Sequence, residues 1–239
     1  GCSGCVETGA FGTEAYILTG YFNLPKILEL TLNDGFDKRT GKQIGLKPGT
    51  ATDYRTYEEL FAAYKAQVQH FMRIKLTGNN IIERIFMKYM PVPFLSVLIE
   101  DCIRNGKDYM CGGARYNSSY VQGVGLGSIT DMLTALRYHV YDKKTIAMET
   151  MEKALANDFN GFEELQYQVV YHTPKYGNDD DYADEQEVQV FDMYYDVLSG
   201  HKSPRGADYR VNMLPTTCHV YFGKVTGATP DGRNAWKVL

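Results

Sequence analysis

The chain has 239 residues, 44% hydrophobic and 23% charged, which is enough apolar material for one large core or two modest ones. Its 25 basic and 29 acidic side chains leave a net charge of −4 with no basic run, which argues against nucleic acid as a partner. No stretch of about 18 uncharged apolar residues and no apolar leader argue for a membrane, and five cysteines, an odd number, fit a reducing, cytoplasmic setting better than a disulfide framework.

The chain opens on Gly1-Cys2-Ser3-Gly4-Cys5-Val6-Glu7. In extended backbone, side chains at i and i+2 project to the same side, so Cys5 and Glu7 can face one small molecule with Val6 turned away. A hydrogen-abstracting sulfur beside a carboxylate that carries protons is a candidate catalytic pair. The plain alternative is a glycine-rich turn holding a buried cysteine and a solvated glutamate. Cys2 and Cys5 also form a C-x-x-C. A redox motif of that kind wants a strand before it and a helix directly after it, and a zinc site wants a second close pair that Cys102, Cys111 and Cys218 do not supply.

Thr8 to Gly12 is too glycine-rich for a helix and suits a tight turn. Asn23 as N-cap, Pro25 in the first turn, Leu24, Ile27, Leu28 and Leu32 at helical spacing, and Asn33-Asp34-Gly35 as a stop predict a helix. Asp37 to Pro48 reads as a polar turn region. Thr56 and Glu59 make a capping-box signature for a long helix, with a break at Thr77-Gly78 and a stop before Pro91. Further helices are expected over 94–104, from 128–131 to about Tyr141, over 145–157 and 161–171, and after Asn178 through Leu198. Gly123 to Ser128 lacks the spacing of a dinucleotide loop and reads as a structural turn. Asp179 to Asp181 reads as acidic residues at a helix start rather than a calcium loop. Thr217 to Phe222, β-branched and aromatic, reads as a short buried strand. His70, His139, His172, His201 and His219 show no paired ligand spacing. The 19 tyrosines suit either a polar cavity lining or aromatic core packing.

Gly4-Cys5-Val6-Glu7 resembles the cysteine loop of the glycyl radical enzymes, and Phe22 to Gly35 is similar to the helix that follows that loop in them. Gly112 to Asn117, Tyr176 to Asp181 and Gly227 to Arg233 match the family in the same order. The pyruvate formate-lyases carry two adjacent cysteines. Val6-Glu7 after Cys5 instead points to the dehydratase and C–N, C–S lyase branch. The choline, glycerol, propanediol and isethionate enzymes have Pro after the glutamate. Thr8 stands there, and Thr8 to Tyr21 looks most like the branch that dehydrates trans-4-hydroxy-L-proline.

The resemblance implies an α/β fold, part of a ten-stranded β/α barrel, with residues 1–239 as a helix-rich piece of that one domain. It implies a glycyl radical on a loop beyond these residues, installed by an S-adenosylmethionine-dependent activating enzyme, and no bound metal. It further implies a thiyl radical on Cys5, Glu7 as acid and base, Tyr21 and Thr216 as substrate-binding residues, and a homodimer of the full-length protein. The plain alternatives for the last two residues are a core tyrosine and a strand-entry threonine after Pro215. The absence of an initiator Met and the abrupt end at Leu239 are read as marks of an internal piece that would not turn over alone. The competing expectations are a glycyl radical enzyme for another small alcohol or amine, a thiol redox or metal-binding module built on Cys2 and Cys5, and an inactive homologue serving in assembly.

Overall fold

The computed structural model describes residues 2–3 and 7–239, with side chains from Thr8 onward. In chain order the elements are β1 (Cys2–Ser3), β2 (Glu7–Thr8), β3 (Glu14–Asn23), α1 (Leu24–Leu32), β4 (Phe36–Asp37), β5 (Lys42–Gln43), α2 (Tyr57–Tyr89), α3 (Pro93–Ser96) and α4 (Cys102–Asn105). They continue with β6 (Tyr116–Val124), α5 (Leu126–Ala135) running into a π-helical turn at Leu136–Asp142, α6 (Met148–Ala156), α7 (Glu163–Tyr171), α8 (Asp181–Leu198), β7 (Asp208–Asn212) and α9 (Cys218–Gly223). The fold is α/β and helix-rich, as expected. No helix among the described residues is long and apolar enough to cross a membrane.

The caps read from the sequence do their work. The Asn23 side chain accepts from the Lys26 amide at 3.1 Å, Pro25 occupies the first turn, and Asp34 and Gly35 end α1 with φ of 52° and 73°. Thr56 Oγ1 accepts from Glu59 N at 3.2 Å, while the Glu59 carboxylate takes the Arg55 amide at 2.7 Å, closing the start of α2. Gly125, at φ 85°, joins β6 to α5, so the glycine-rich stretch is the structural turn expected. Tyr182 N donates to Asp180 Oδ1 at the start of α8, which gives the acidic run its place at a helix N-terminus.

Elsewhere the chain departs from expectation. Helix α2 runs unbroken for 33 residues through Thr77 and Gly78; Thr77 turns its Oγ1 back onto the Arg73 carbonyl at 2.8 Å rather than competing for a new turn. The helix expected over 94–104 is instead two single turns, α3 and α4, separated where Asp101 adopts φ 74°. Thr217 is the N-cap of helix α9, and residues 218–222 lie in that helix, not in a strand. The Phe222 carbonyl accepts from Asn23 Nδ2 and the His219 carbonyl from the Leu239 amide, partners that no local β-propensity records. Tyr221 is 65% exposed, so this segment is not buried either.

The chain divides into two compact units. The first comprises residues 1–22, 72–122 and 195–216. Its centre is a three-stranded sheet in the order β3-β6-β7, with β6 and β7 parallel and Ser118 to Gln122 in register with Asp208 to Asn212. Ala15, Cys102, Tyr109 and Ala114 form a small apolar cluster with Ile17, Val92, Ile99 and Met110 around it. The second unit comprises residues 23–71, 123–194 and 217–239. Leu24, Leu28, Leu60, Tyr64, Ile129 and Leu133 are fully buried there, each apolar side chain contributing about 1.5–3 kcal/mol. A Cβ at Gly125 would lie 2.7 Å from Pro25 Cδ, so α5 begins hard against the first turn of α1.

Candidate functional site

Every residue singled out for chemistry belongs to the first unit. Strands β1 and β2 pair antiparallel, with Cys2 opposite Thr8 and Ser3 opposite Glu7. Glu7 therefore opens the second of two short paired strands. Cys5 itself lies outside the described residues, and the Glu7 side chain is outside them too.

Immediately after β2 the backbone is clamped. The Ala10 amide donates to Glu14 Oε2 at 2.9 Å, and the Ala10 carbonyl accepts from Thr13 Oγ1, Thr13 N and Glu14 N at 2.9–3.0 Å. Glu14 Oε1 accepts from Ser118 Oγ on β6. The next residue, Ser119, donates from Oγ to Glu83 Oε1 at 2.7 Å. Glu83 Oε2 takes Arg205 Nε at 3.2 Å, and Arg205 Nη2 reaches both the Ser118 carbonyl and Ser119 Oγ. Glu83 and Arg205 side chains are 6% and 1% exposed, so the ion pair is screened from water; β6 takes up Nη2, while Nη1 is buried without a hydrogen-bond partner.

Tyr21 is partly buried on β3. The residue before it, Gly20, has φ 127°, which interrupts the strand's pleat. A Cβ at Gly20 would stand 2.5 Å from Lys75 Nζ. That ammonium donates to the Thr19 carbonyl at 2.9 Å and to Asn79 Oδ1 at 3.1 Å, and burial lowers its pKa. Thr19 Oγ1 in turn donates to the Tyr120 carbonyl at 2.8 Å. The backbone leading into Tyr21 is thus fixed from two sides.

Thr216 is exposed and stands in a turn at φ 50°. It is not a strand-entry threonine. A β-branched side chain in the left-handed region is strained by its own Cβ substituents and persists only where the surroundings impose it. Those surroundings are visible two residues earlier. The Leu214 amide donates to Gln122 Oε1 and to Asn212 Oδ1, both at 3.0 Å. Asn212 Nδ2 donates to Tyr16 OH at 2.7 Å, and the Tyr16 ring stacks on Tyr120 with centroids 4.1 Å apart. The polar side chains of β3, β6 and β7 therefore fix the entry to Thr216, and some of the tyrosines line this polar face. Others, such as Tyr64 and Tyr194, are fully buried core residues, so both readings of the tyrosine content apply.

A family model described as pyruvate formate lyase-like matches residues 1–223, a span that contains Cys5, Glu7, Tyr21 and Thr216. The chain belongs to the pyruvate formate lyase-like family. It is 55% identical to trans-4-hydroxy-L-proline dehydratase of Clostridioides difficile over 233 residues, covering 98% of this chain and 30% of that protein. The crystal structure of that species' hydroxyproline dehydratase with trans-4-hydroxy-L-proline bound superposes with a TM-score of 0.98, at 55% identity, over 100% of this chain and 30% of that one. The glycerol-bound B12-independent glycerol dehydratase of Clostridium butyricum follows at TM-score 0.90 and 37% identity, over 95% and 29% of the two chains. The fold is accordingly that of the glycyl radical enzymes, of barrel type, and the chain spans about 30% of the length of the relatives it matches. The Cys5–Glu7 loop and the helix after it carried this family reading in the sequence. The supporting residues Glu14, Lys75, Glu83, Gln122, Arg205 and Asn212 did not announce themselves, because they converge from segments as much as 196 residues apart.

Among the described residues no group of three or more His, Cys, Asp or Glu side chains is arranged to hold a metal ion. The unit offers a backbone clamp at Ala10, a tyrosine anchored on β3 and a strained threonine in the turn that follows β7.

Proposed function

We propose that the full-length protein is a glycyl radical dehydratase that removes water from trans-4-hydroxy-L-proline to give 1-pyrroline-5-carboxylate. The observation that carries this reading is the step in similarity. The chain is 55% identical to hydroxyproline dehydratase but 33% identical to (2S)-3-sulfopropanediol dehydratase and 37% identical to glycerol dehydratase over comparable spans.

A glycyl radical on a loop outside these 239 residues, installed by an S-adenosylmethionine-dependent activating enzyme, supplies the unpaired electron. The described residues are compatible with such a group, since Ser3 and Glu7 pair across two short antiparallel strands and the backbone after them is held at Ala10. As a thiyl radical, Cys5 takes the hydrogen from C5 of the substrate, beside the ring nitrogen, where the new radical is stabilised and the S–H formed is of comparable strength. Glu7 delivers a proton to the departing C4 hydroxyl. Water leaves, the ring nitrogen loses its proton as C5=N forms, and the product radical at C4 retrieves hydrogen from Cys5. Tyr21 and Thr216 hold the substrate by hydrogen bonds, and the strain at Thr216 supports its place at a binding site. Exclusion of water protects the radical steps. In the whole enzyme residues 1–239 form part of a single barrel domain, the protein pairs as a homodimer, and it works in the cytoplasm.

The test is to activate the full-length protein anaerobically and offer hydroxyproline, glycerol, propanediol and choline side by side. Hydroxyproline is expected to be consumed at least tenfold faster than the others, with 1-pyrroline-5-carboxylate as product. Preference for any of the other three removes the substrate assignment.

A further inference from the structure

We propose that Glu14 is a positioning residue for the cysteine loop, braced from behind by Ser118 and the buried Glu83–Arg205 pair. The inference rests on the reading of Cys5 and Glu7 as the reacting groups and adds to it the device that holds them in place. Glu14 stands seven residues beyond Glu7, on β3, and reaches back to the peptide at Ala10. The Gly9 backbone lies against the same carboxylate, since a Cβ there would sit 3.3 Å from Glu14 Oε2. One oxygen takes the Ala10 N–H and the other takes Ser118 Oγ–H, so the carboxylate bridges the loop foot and the central strand. Among the described residues no Lys or Arg pairs with Glu14, so its charge is not there to satisfy a cation.

The brace continues inward. Ser118 is 1% and Ser119 0% exposed, and both are tied to Arg205, whose guanidinium is held by Glu83. The backbone three residues after Glu7 is fixed at both the N–H and the C=O of one residue, Ala10. Hydrogen transfer to sulfur demands that the thiyl group and the substrate C–H meet at near-contact distance. A displacement of about 1 Å costs on the order of a hundredfold in rate. Glu14 touches neither substrate nor the reacting atoms in this account; it acts through the backbone.

The experiment uses the full-length enzyme, activated anaerobically, in wild-type, Glu14→Ala, Glu14→Gln and Ser118→Ala forms. Radical yield is read by EPR, and kcat, KM and the deuterium isotope effect are measured on substrate labelled at the abstracted carbon. Glu14→Ala should form the glycyl radical normally but lose about 10- to 100-fold in kcat, with KM within threefold. Its isotope effect should rise, because hydrogen abstraction becomes the slow step. Glu14→Gln should recover to within about threefold of wild type, as its amide oxygen still accepts from Ala10 N and its NH2 can donate to Ser118 Oγ. Ser118→Ala should fall between the two, and it carries the test if Glu14→Ala does not fold. A kcat within twofold of wild type in Glu14→Ala, or a Gln variant no better than Ala, or a loss with an unchanged isotope effect, overturns the proposal. If wild type ignores hydroxyproline but turns over another small alcohol, the substrate assignment fails while the Glu14 comparison is made on that alcohol. A wild type that turns over none of them overturns both.

Discussion

Removing the Glu83 carboxylate should open the sheet of the first unit locally and measurably. Glu83 is 5% exposed and accepts from Arg205 Nε at 3.2 Å and from Ser119 Oγ at 2.7 Å. In Glu83→Ala the Arg205 guanidinium stays buried with its countercharge gone, and Ser119 Oγ loses its acceptor. Breaking a buried pair from one side costs about 3–5 kcal/mol. At about 1.4 kcal/mol per tenfold, the opening equilibrium of β6 and β7 rises by about a hundred- to a few-thousandfold. Hydrogen exchange read by mass spectrometry on the full-length protein resolves this, with peptides over 116–124 and 205–212 as reporters. Their amide protection should fall by that factor. Replacing both partners, as Glu83→Met with Arg205→Met, should be much milder than the sum of the single changes, because no charge is left stranded. Protection changed by less than threefold in Glu83→Ala, or a double variant as damaged as the sum, would refute the view that this buried ion pair acts as one unit.

Other outcomes follow from the same geometry. Gly20→Ala places a Cβ 2.5 Å from Lys75 Nζ at φ 127°, a strain of about 1–3 kcal/mol, and displaces the ammonium from the Thr19 carbonyl beside Tyr21. Its KM for substrate should rise about tenfold or more while radical yield holds; an unchanged KM would separate Tyr21 from substrate binding. In the second unit, Thr173 Oγ1 donates to the Val169 carbonyl at 2.8 Å, so it accepts from His139 Nε2 at 2.9 Å, and His139 Nδ1 accepts from Thr145 Oγ1. The ring is held neutral, its pKa lowered by burial first and by Lys175 and His172 next. The unfolded chain takes up a proton near the ordinary histidine value of about 6.5 and the folded chain only below it. The stability this residue contributes is therefore present above about pH 6.5 and is lost as pH falls, by at most about 1.4 kcal/mol per unit. Melting temperature followed from pH 7.5 to 5.5 should drop more steeply in wild type than in His139→Gln; parallel curves would show that His139 titrates normally.

The helices were legible because their signals are local. Asn23 with Pro25, Thr56 with Glu59, and the acidic start of α8 each act within one turn of the residues they cap. The strands of the central sheet were not. In β6 the residues from Val121 to Val124 are buried in succession, and Ser118, Ser119 and Gln122 are buried polar residues whose side-chain oxygens bond to groups elsewhere in the chain. A strand covered on both faces loses the two-residue alternation that sequence reading relies on. The opposite error, a strand expected over Thr217 to Phe222, came from β-branched composition that the Thr216 turn and long-range carbonyl partners override. At the site itself, Cys5 and Glu7 stood out by spacing and by family likeness. The groups that brace their loop are ordinary Glu, Ser, Lys and Arg residues whose meaning lies in convergence.

The central claim is that Cys5 carries the radical to the substrate, and one measurement addresses it directly. Full-length Cys5→Ser, activated anaerobically beside wild type, is assayed for glycyl radical by EPR and for hydroxyproline consumption. The account predicts a radical signal of normal size and no turnover, since a serine hydroxyl holds its hydrogen too strongly to exchange it with the substrate carbon. Continued formation of 1-pyrroline-5-carboxylate by the Cys5→Ser protein would contradict it.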